Sequence, residues 1–284
     1  MSNTDAPVID EKALVEEMKS AFPRPPTFTS KMQEREWLKF RLAQAMRIFG
    51  ARGFDEGMTG HITVRDPIEP TWFWVNPFGL HFKLIQPSDL LLVNSVGKIQ
   101  PESGPRRLLN VAAFMIHAAV HTARPDVVCA SHTHSTYGKA FGALGRTLDM
   151  ISQDACAFYD DCVLSQYRGV AFSKSEGEAI AEALGTKKAA ILQNHGLLVA
   201  TSSVEATTHF HIALEKACEV ELLAVAAAKA HGVETVKIEP QYAEASGRTL
   251  GNTQNVGWFS GLVEFELLER TEGVKFDFEK TYVD

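Results

Sequence analysis

Three histidines are the residues of this chain best suited to carry chemistry. His132 and His134 are two residues apart, and His195 follows much later, in the run Gln193-Asn194-His195-Gly196. Side chains of a β-strand alternate between its two faces, so His132 and His134 should project together while Thr133 points away. A third imidazole completes a set with an open coordination position, which is typical of a catalytic metal. The alternative is that these are buried histidines with ordinary hydrogen-bond partners.

Apolar, strand-like segments lead into both parts of this set. Residues 126–131 precede the histidine pair, and residues 189–192 precede His195. Short apolar runs rich in β-branched residues are typical of strands, and active sites often lie where strands end. The sequence therefore predicts a metal site at the end of a sheet.

The bulk composition narrows the class of partner. The chain has 284 residues, 45% of them hydrophobic, and a net charge of −7. The acidic balance argues against a phosphate-binding surface for nucleic acid and against a polybasic membrane anchor, so we expect small-molecule partners. The sequence has no apolar run of transmembrane length and no signal-peptide pattern near Met1, so we expect a cytoplasmic protein. The four cysteines lack the C-x-x-C spacing of zinc knuckles.

Helices and strands alternate along the chain, which predicts an α/β protein. Two of the predicted helices begin at a capping-box pattern, Ser173 with Glu176 and Ser202 with Glu205. We expect helices over residues 34–50, 108–122, 173–184 and 202–230, and strands over residues 62–65, 72–75, 90–93, 126–131 and 189–192.

Three regions are expected. Residues 1–30 form an N-terminal arm, in which the prolines of residues 23–26 favour extended backbone. Residues 31–232 form one domain. Residues 233–284 form a C-terminal extension without comparable regularity until Trp258 and Phe259, an aromatic pair that could dock it on the domain or on a neighbouring subunit.

Four motifs together resemble the class II aldolase/adducin family. They are Gly-His-Ile-Thr-Val-Arg at residues 60–65, Asn-Pro-Phe-Gly at 76–79, Ala-Arg-Pro-Asp at 123–126 before the histidine pair, and Gln-Asn-His-Gly-Leu at 193–197. The resemblance spans roughly residues 35–230. It implies a three-layer α/β/α sandwich around a largely antiparallel sheet, a homotetramer, and a zinc ion held by His132, His134 and His195.

The chain departs from the family's sugar-phosphate aldolases at the positions that serve their substrate. Ala113 stands where those enzymes carry a glutamate that acts as ligand or acid–base group. The residues at phosphate-pocket positions are His61, Phe78, Val111 and Ala112. The resemblance therefore implies a non-phosphorylated substrate.

Without the glutamate, another group must transfer the proton. The catalytic candidates are His61, which replaces a pocket residue of the family, and Tyr159, with Asp154, Asp160 and Asp161 as further acids. The alternative for Tyr159 is packing, and for the aspartates it is helix capping or a solvated surface.

Substrate-binding candidates come from two loops. The resemblance implies Asn76 and Gly79, and Arg107, next to Arg106, could clamp a substrate carboxylate, although a solvated turn is the alternative. We interpret the remaining histidine pairs as structural because of their apolar neighbours or their helical spacing; they are His117 with His121 and His209 with His211.

These features predict a divalent-metal-dependent carbon–carbon lyase. It would act on a small non-phosphorylated hydroxy or oxo acid, by retro-aldol cleavage or decarboxylation through a metal-stabilised enolate. Zn²⁺ is the expected metal, with Fe²⁺ or Mn²⁺ as alternatives. A non-haem iron oxygenase on the same fold and a non-catalytic adducin-like interaction module remain open as other functions.

Overall fold

The computed structural model describes residues 10–169 and 174–280, which form eight α-helices and seven β-strands. The helices are α1 (Glu11–Ala21), α2 (Lys31–Ala51), α3 (Val111–Ala123), α4 (Thr136–Gly142), α5 (Lys174–Leu184), α6 (Val204–His231), α7 (Pro240–Leu250) and α8 (Trp258–Glu272). The strands are β1 (His61–Arg65), β2 (Phe73–Val75), β3 (Leu91–Val93), β4 (Cys129–Thr133), β5 (Cys162–Ser165), β6 (Ala189–Leu192) and β7 (Gly196–Thr201). Every predicted helix and strand has a counterpart among them, although Ser173, the predicted cap of α5, lies outside the described residues.

The seven strands form one sheet in the order β3-β2-β1-β4-β7-β6-β5. All neighbouring strands run antiparallel except β5 and β6, which are parallel. The predicted sandwich around a largely antiparallel sheet is therefore confirmed. Among the residues that the structure describes, none of the helices combines the length and the apolar character that a bilayer crossing requires.

Alternation along the central strands divides the core between two helical layers. In β7, Leu197 and Val199 pack with residues of α6, whereas Leu198 and Ala200 pack with residues of α3 and α5. These side chains are almost completely buried, and burial of each large one stabilises the fold by about 1.5–3 kcal/mol. Because both faces are covered, the sheet is held rigidly from two sides.

Two strands were absent from the sequence prediction. β7 reads as a continuous apolar run, without the alternation of a half-exposed strand, because both of its faces are buried. β5 is only four residues long, and it pairs in parallel with β6. β7 lies directly beside β4, so the missed strand is one that shapes the predicted metal site.

The cap of α6 was predicted one residue too early. Ser203, not Ser202, accepts the hydrogen bond from the backbone N–H of Ala206. Glu205 therefore does not complete a capping box. It is buried beside Arg41, with Oε1 and Nε 3.1 Å apart.

The C-terminal segment is more regular than the sequence indicated, because it contains α7 and α8. Phe265 of α8 is fully buried in the cluster that contains α2 residues. Arg41 of α2 donates to Glu269 at 2.7 Å, and Trp258 is buried. The segment thus packs on the sandwich within one chain, while the division into three regions stays a prediction.

If α8 is part of the cooperative fold, Phe265→Ala should lower the free energy of unfolding by about 3–5 kcal/mol, the usual cost of a buried phenylalanine. Arg270→Ala, at an exposed position of the same helix, should change it by no more than about 0.5 kcal/mol. Urea unfolding measures both. Equal effects of the two substitutions would contradict the docking of α8.

Candidate metal centre

The structure brings His132, His134 and His195 together at one end of the sheet. His132 is in β4, His134 follows its last residue, and His195 lies in the turn between β6 and β7. The Nε2 atoms of His132 and His134 are 3.1 Å apart, and one ring nitrogen from each of the three residues lies within 4.8 Å of the others. Tetrahedral ligands about 2.05 Å from zinc lie roughly 3.3 Å from one another. Small ring rotations would therefore let all three nitrogens bind one ion.

A backbone carbonyl fixes the orientation of the most buried ligand. The Nδ1 atom of His132 lies 2.9 Å from the carbonyl oxygen of Leu197 in β7. A proton on Nδ1 donates to that oxygen and leaves the Nε2 lone pair for a metal. The antiparallel pairing of His132 with Leu198 places the donor and acceptor in register.

The opposite face of β4 is anchored to α6 by polar contacts. The two ring nitrogens of His211 lie 2.8 Å from Ser131 Oγ and 2.7 Å from Thr133 Oγ1. Glu215 accepts hydrogen bonds from Ser135 Oγ at 2.5 Å and from two backbone N–H groups at the start of α4, at 2.8 Å each. These bonds fix the chain on both sides of His134. His211 therefore has a structural role, as predicted, and it fills this role by forming hydrogen bonds.

The turn that carries His195 depends on two unusual backbone positions. Asn194 has a positive φ of 54°, a conformation that asparagine tolerates better than most residues. A Cβ atom at Gly196 would lie 2.1 Å from the carbonyl oxygen of Thr133 and 3.4 Å from Cε1 of His132. Only glycine allows β7 to approach β4 this closely, which explains the glycine after His195.

Burial keeps the cluster neutral. Burial, and then the charge of His195, lowers the pKa of His132 well below its usual range. Burial also lowers the pKa of His134, and it lowers that of His195 to about 4. A neutral imidazole is the form that binds a metal, so these residues need not lose a proton before binding one at neutral pH.

A fourth imidazole, His61, lies beside the three. Its ring centroid is 5.1 Å from that of His132, and its Nδ1 is 3.3 Å from Nε2 of His117. Thr63 Oγ1 then joins His117, at 2.7 Å, to His121, at 2.8 Å. His117 and His121 are buried as expected, but they form a polar network rather than simple apolar packing.

An ion pair that the sequence analysis missed acts on His134. Glu56, in the loop before β1, pairs with Lys139 of α4. Burial lowers the pKa of His134 most, Lys139 lowers it further, and Glu56 raises it, so both charges act on that ring. No sequence signal marks Glu56, because it lies in an irregular loop and only folding brings it to Lys139.

The predicted substrate residues lie in loops with defined contacts. Asn76 follows β2, at the end of the sheet where His61 begins β1, and its buried Oδ1 has no hydrogen-bond partner among the described residues. Arg106 donates to the carbonyl oxygen of Gly79 at 2.6 Å, and Arg107 donates to that of Gln100 at 2.7 Å. Binding roles for Asn76, Gly79 and Arg107 stay predictions.

Tyr159 lies at the other end of the sheet within one chain. It precedes β5, whose first residue pairs with the first residue of β6, whereas His195 follows the last residue of β6. Four strand residues separate these ends by roughly 10 Å. Tyr159 instead lies beside Gly247 of α7. The neighbouring Asp160 and Asp161 pair with Lys187 and Lys188, and a catalytic role for Tyr159 stays a prediction that this position does not favour.

Comparisons with known proteins agree with this geometry. The family profile described as "Class II Aldolase and Adducin N-terminal domain" matches residues 40–222. The solved structure "L-fuculose 1-phosphate aldolase from Glaciozyma antarctica PI12" is 46% identical with a TM-score of 0.80, covering 88% of this chain and 95% of that one. "Decarboxylase NovR" of Streptomyces niveus is 40% identical, over 84% of this chain and 86% of its own. "4-hydroxy-3-prenylphenylpyruvate oxygenase/4-hydroxy-3-prenylbenzoate synthase" of Streptomyces roseochromogenus subsp. oscitans is 40% identical, over 84% of each chain.

Gly196→Ala should weaken metal binding at least about tenfold, because the new Cβ must displace the Thr133 carbonyl and with it the ligands on either side. Equilibrium dialysis with Zn²⁺ measures the affinity. Gly273→Ala is the control, since this glycine ends α8, where a Cβ meets no atom within 4 Å. Unchanged zinc affinity in Gly196→Ala would contradict the packing described for β4 and β7.

Acid should destabilise the fold through His117, His121 and His211, whose pKa values burial lowers to about 3. Unfolded histidines take up a proton near pH 6.5, so between about pH 6.5 and pH 3 the unfolded chain binds more protons. The free energy of unfolding therefore falls as the pH falls, by up to about 1.4 kcal/mol per pH unit for each histidine. Urea unfolding with EDTA at about pH 7.5 and about pH 5.5 measures the difference.

A matched pair of variants tests whether the buried histidines cause this pH effect. His211→Gln should reduce the difference between the two pH values, whereas His231→Gln, at an exposed position in the last turn of α6, should leave it unchanged. Equal unfolding free energies of the wild-type protein at both pH values would show that these histidines do not remain neutral in the fold.

Proposed function

The chain belongs to the class II aldolase and adducin family and is a metal-dependent lyase, and from this premise we propose that it breaks a carbon–carbon bond in small non-phosphorylated hydroxy or oxo acids. The observation that carries the proposal is the convergence of three neutral imidazole nitrogens within 4.8 Å of one another. Imidazole ligands suit zinc, iron and other divalent ions. We propose Zn²⁺ as the metal, with Fe²⁺ or Mn²⁺ as alternatives.

The substitutions at the phosphate positions support a non-phosphorylated substrate. Val111, Ala112 and Phe78 offer no side-chain hydroxyl to a phosphate group. The Glaciozyma structure is named for a sugar phosphate, whereas the name of the Streptomyces niveus relative refers to decarboxylation. Loss of CO₂ and retro-aldol cleavage both leave negative charge on a carbon next to a carbonyl group, so one site can support either reaction.

A divalent cation in such a site supplies Lewis-acid stabilisation of the charge that develops on the carbonyl oxygen. His132, His134 and His195 would hold it. His61 uses Nδ1 toward His117, so only its Nε2 can hydrogen-bond a substrate oxygen. Since Ala113 cannot move a proton, we assign that task to Glu56, whose carboxylate borders His134 and is held by Lys139.

We also propose a homotetramer that places α6 and α8 at contacts between subunits. Both helices expose large apolar side chains, which are Val220, Leu223, Val225, Val263 and Leu267. Exposed apolar patches of this kind are typical of association surfaces.

The experiment begins with elemental analysis of protein purified without added metal, beside His134→Ala. The wild-type protein should hold about one divalent ion per chain, and the variant should lose it while keeping its fold. Turnover is then measured by NMR on a panel of hydroxy and oxo acids and on L-fuculose 1-phosphate. A preference for the sugar phosphate, or full metal retention in His134→Ala, would overturn the proposal.

A second candidate is an oxygenase, because one relative of 40% identity carries that name. The same preparation discriminates the two functions. Zinc with cleavage in the absence of oxygen supports the lyase, whereas iron with oxygen consumed in proportion to product supports the oxygenase. A non-catalytic interaction role would require normal partner binding after loss of the metal.

Glu56→Gln should lower kcat by about 10²–10⁴-fold with little change in metal content, as expected when a general acid–base group is removed. Glu36→Gln is the matched control, because Glu36 also pairs with a lysine but lies on α2. Steady-state kinetics with elemental analysis measures both variants. A decrease of less than about threefold, or loss of the metal, would remove Glu56 from this role.

A further inference from the structure

We propose that His61 donates a hydrogen bond to the substrate oxygen that gains negative charge, and that a chain of buried polar side chains keeps its proton on Nε2. The chain consists of His117, Thr63 and His121, which act as positioning residues. This inference rests on the proposed lyase function. It goes further, because that function leaves open whether Nε2 of His61 donates or accepts a hydrogen bond.

The chain runs from the three-histidine cluster into the core between β1 and α3. Nδ1 of His61 lies 3.3 Å from Nε2 of His117. Nδ1 of His117 lies 2.7 Å from Thr63 Oγ1, which lies 2.8 Å from Nε2 of His121. No member of the chain is more than 6% exposed. Because the chain ends inside the protein, it offers protons no path to solvent, and its role is to hold its members in place.

Each of the buried links carries a single proton. Burial, and then the charge of His121, lowers the pKa of His117 to about 3. Burial, and then the charge of Arg65, lowers the pKa of His121 to about 3. Both rings are therefore neutral at neutral pH, so each donates from one nitrogen and accepts at the other. The Thr63 hydroxyl also has one proton to donate. The direction of one hydrogen bond consequently sets the direction of all.

The inner end of the chain sets this direction. Nδ1 of His121 is buried and has no hydrogen-bond partner among the residues that the structure describes. The Val127 carbonyl opposes the effect of burial on the pKa of this ring, but it accepts a hydrogen bond from Nε of Arg65 at 3.0 Å. A buried N–H without an acceptor is rarer in proteins than a buried acceptor without a donor. The proton of His121 therefore lies on Nε2, which faces Thr63.

Every donor in the chain then points toward the metal centre. His121 donates to Thr63, and Thr63 donates to Nδ1 of His117. His117 donates from Nε2 to Nδ1 of His61, which leaves the proton of His61 on its own Nε2. His61 does not belong to the group of three histidines whose ring nitrogens converge, so this N–H is free to face a substrate. An N–H group held in place beside the cluster stabilises an oxygen atom on which negative charge develops.

Solid-state ¹⁵N NMR of the zinc-loaded protein, labelled at histidine, tests the tautomer directly, because protonated and bare ring nitrogens differ in chemical shift. We expect His61 to carry its proton on Nε2 alone. The signals of His61 are assigned by their disappearance in His61→Gln. A bare Nε2 would show that the chain runs in the opposite direction, and it would overturn the inference.

Oxalate tests the donor role, because it is a planar dianion whose oxygen atoms carry charge as those of an enolate do. Isothermal titration calorimetry gives its Kd for each zinc-loaded protein. His61→Gln places an amide N–H near the position of Nε2 and should bind oxalate within about threefold of the wild-type protein. His61→Met has no donor and should bind it at least about tenfold more weakly. His231→Met, at an exposed position of α6, is the control and should change nothing.

Two variants of His117 test the positioning role. His117→Leu leaves Nδ1 of His61 without a donor, so His61 should populate both tautomers and oxalate should bind at least about threefold more weakly. His117→Gln supplies an amide N–H near the position of Nε2 and should restore the single tautomer and the affinity. Circular dichroism confirms that each variant is folded. An unchanged tautomer of His61 in folded His117→Leu would show that the chain does not hold it.

The outcomes separate this inference from the proposed function. Equal oxalate affinities of His61→Gln and His61→Met overturn the donor role, while the lyase stands if the wild-type protein binds zinc and oxalate. A zinc-loaded wild-type protein that does not bind oxalate overturns both.

Discussion

The site depends on one constraint: β4 must be held on both faces so that His132 and His134, at its end, stay aligned with His195 in the turn between β6 and β7. On one face, the Leu197 carbonyl fixes His132 at 2.9 Å. On the other, His211 bonds to Ser131 and Thr133. Because Gly196 lets β7 lie against Thr133, the turn that carries His195 cannot move without moving β4. The ligand positions are therefore a property of the sheet and α6, and they do not depend on a mobile loop.

The same burial sets the charge of the site. Burial lowers the pKa values of seven histidines in or near the sheet, which keeps them neutral and lowers the cost of enclosing them; they are His61, His117, His121, His132, His134, His195 and His211. Near His134, the charges of Glu56 and Lys139 neutralise each other. A cation placed among neutral ligands keeps its full attraction for an anionic substrate, and the nearby carboxylate provides a proton-transfer group that Ala113 cannot.

Local sequence patterns predicted much of this arrangement, and the features that they missed were missed for physical reasons. The alternation of His132 and His134, the helix at α2 and the β-like runs at β1 to β3 follow from periodicity. β7 was missed because a strand buried on both faces loses its alternation. Ser202 was chosen over Ser203 because Glu205 follows it by three residues, whereas Ala206 stands at that spacing from Ser203. Glu56 could not be found from the sequence, since only folding brings its loop to α4. The position of Tyr159 relative to the histidines also could not be predicted from local sequence patterns. The sheet places Tyr159 at the end opposite the histidines.

The most direct test of the account is the X-ray absorption spectrum of the metal in the protein as isolated. Three convergent imidazoles predict three histidine nitrogens at about 2.0–2.1 Å from the ion, with oxygen ligands completing the shell. A sulfur ligand, or fewer than three imidazoles in the fitted shell, would contradict the assignment of His132, His134 and His195 as the metal-binding set.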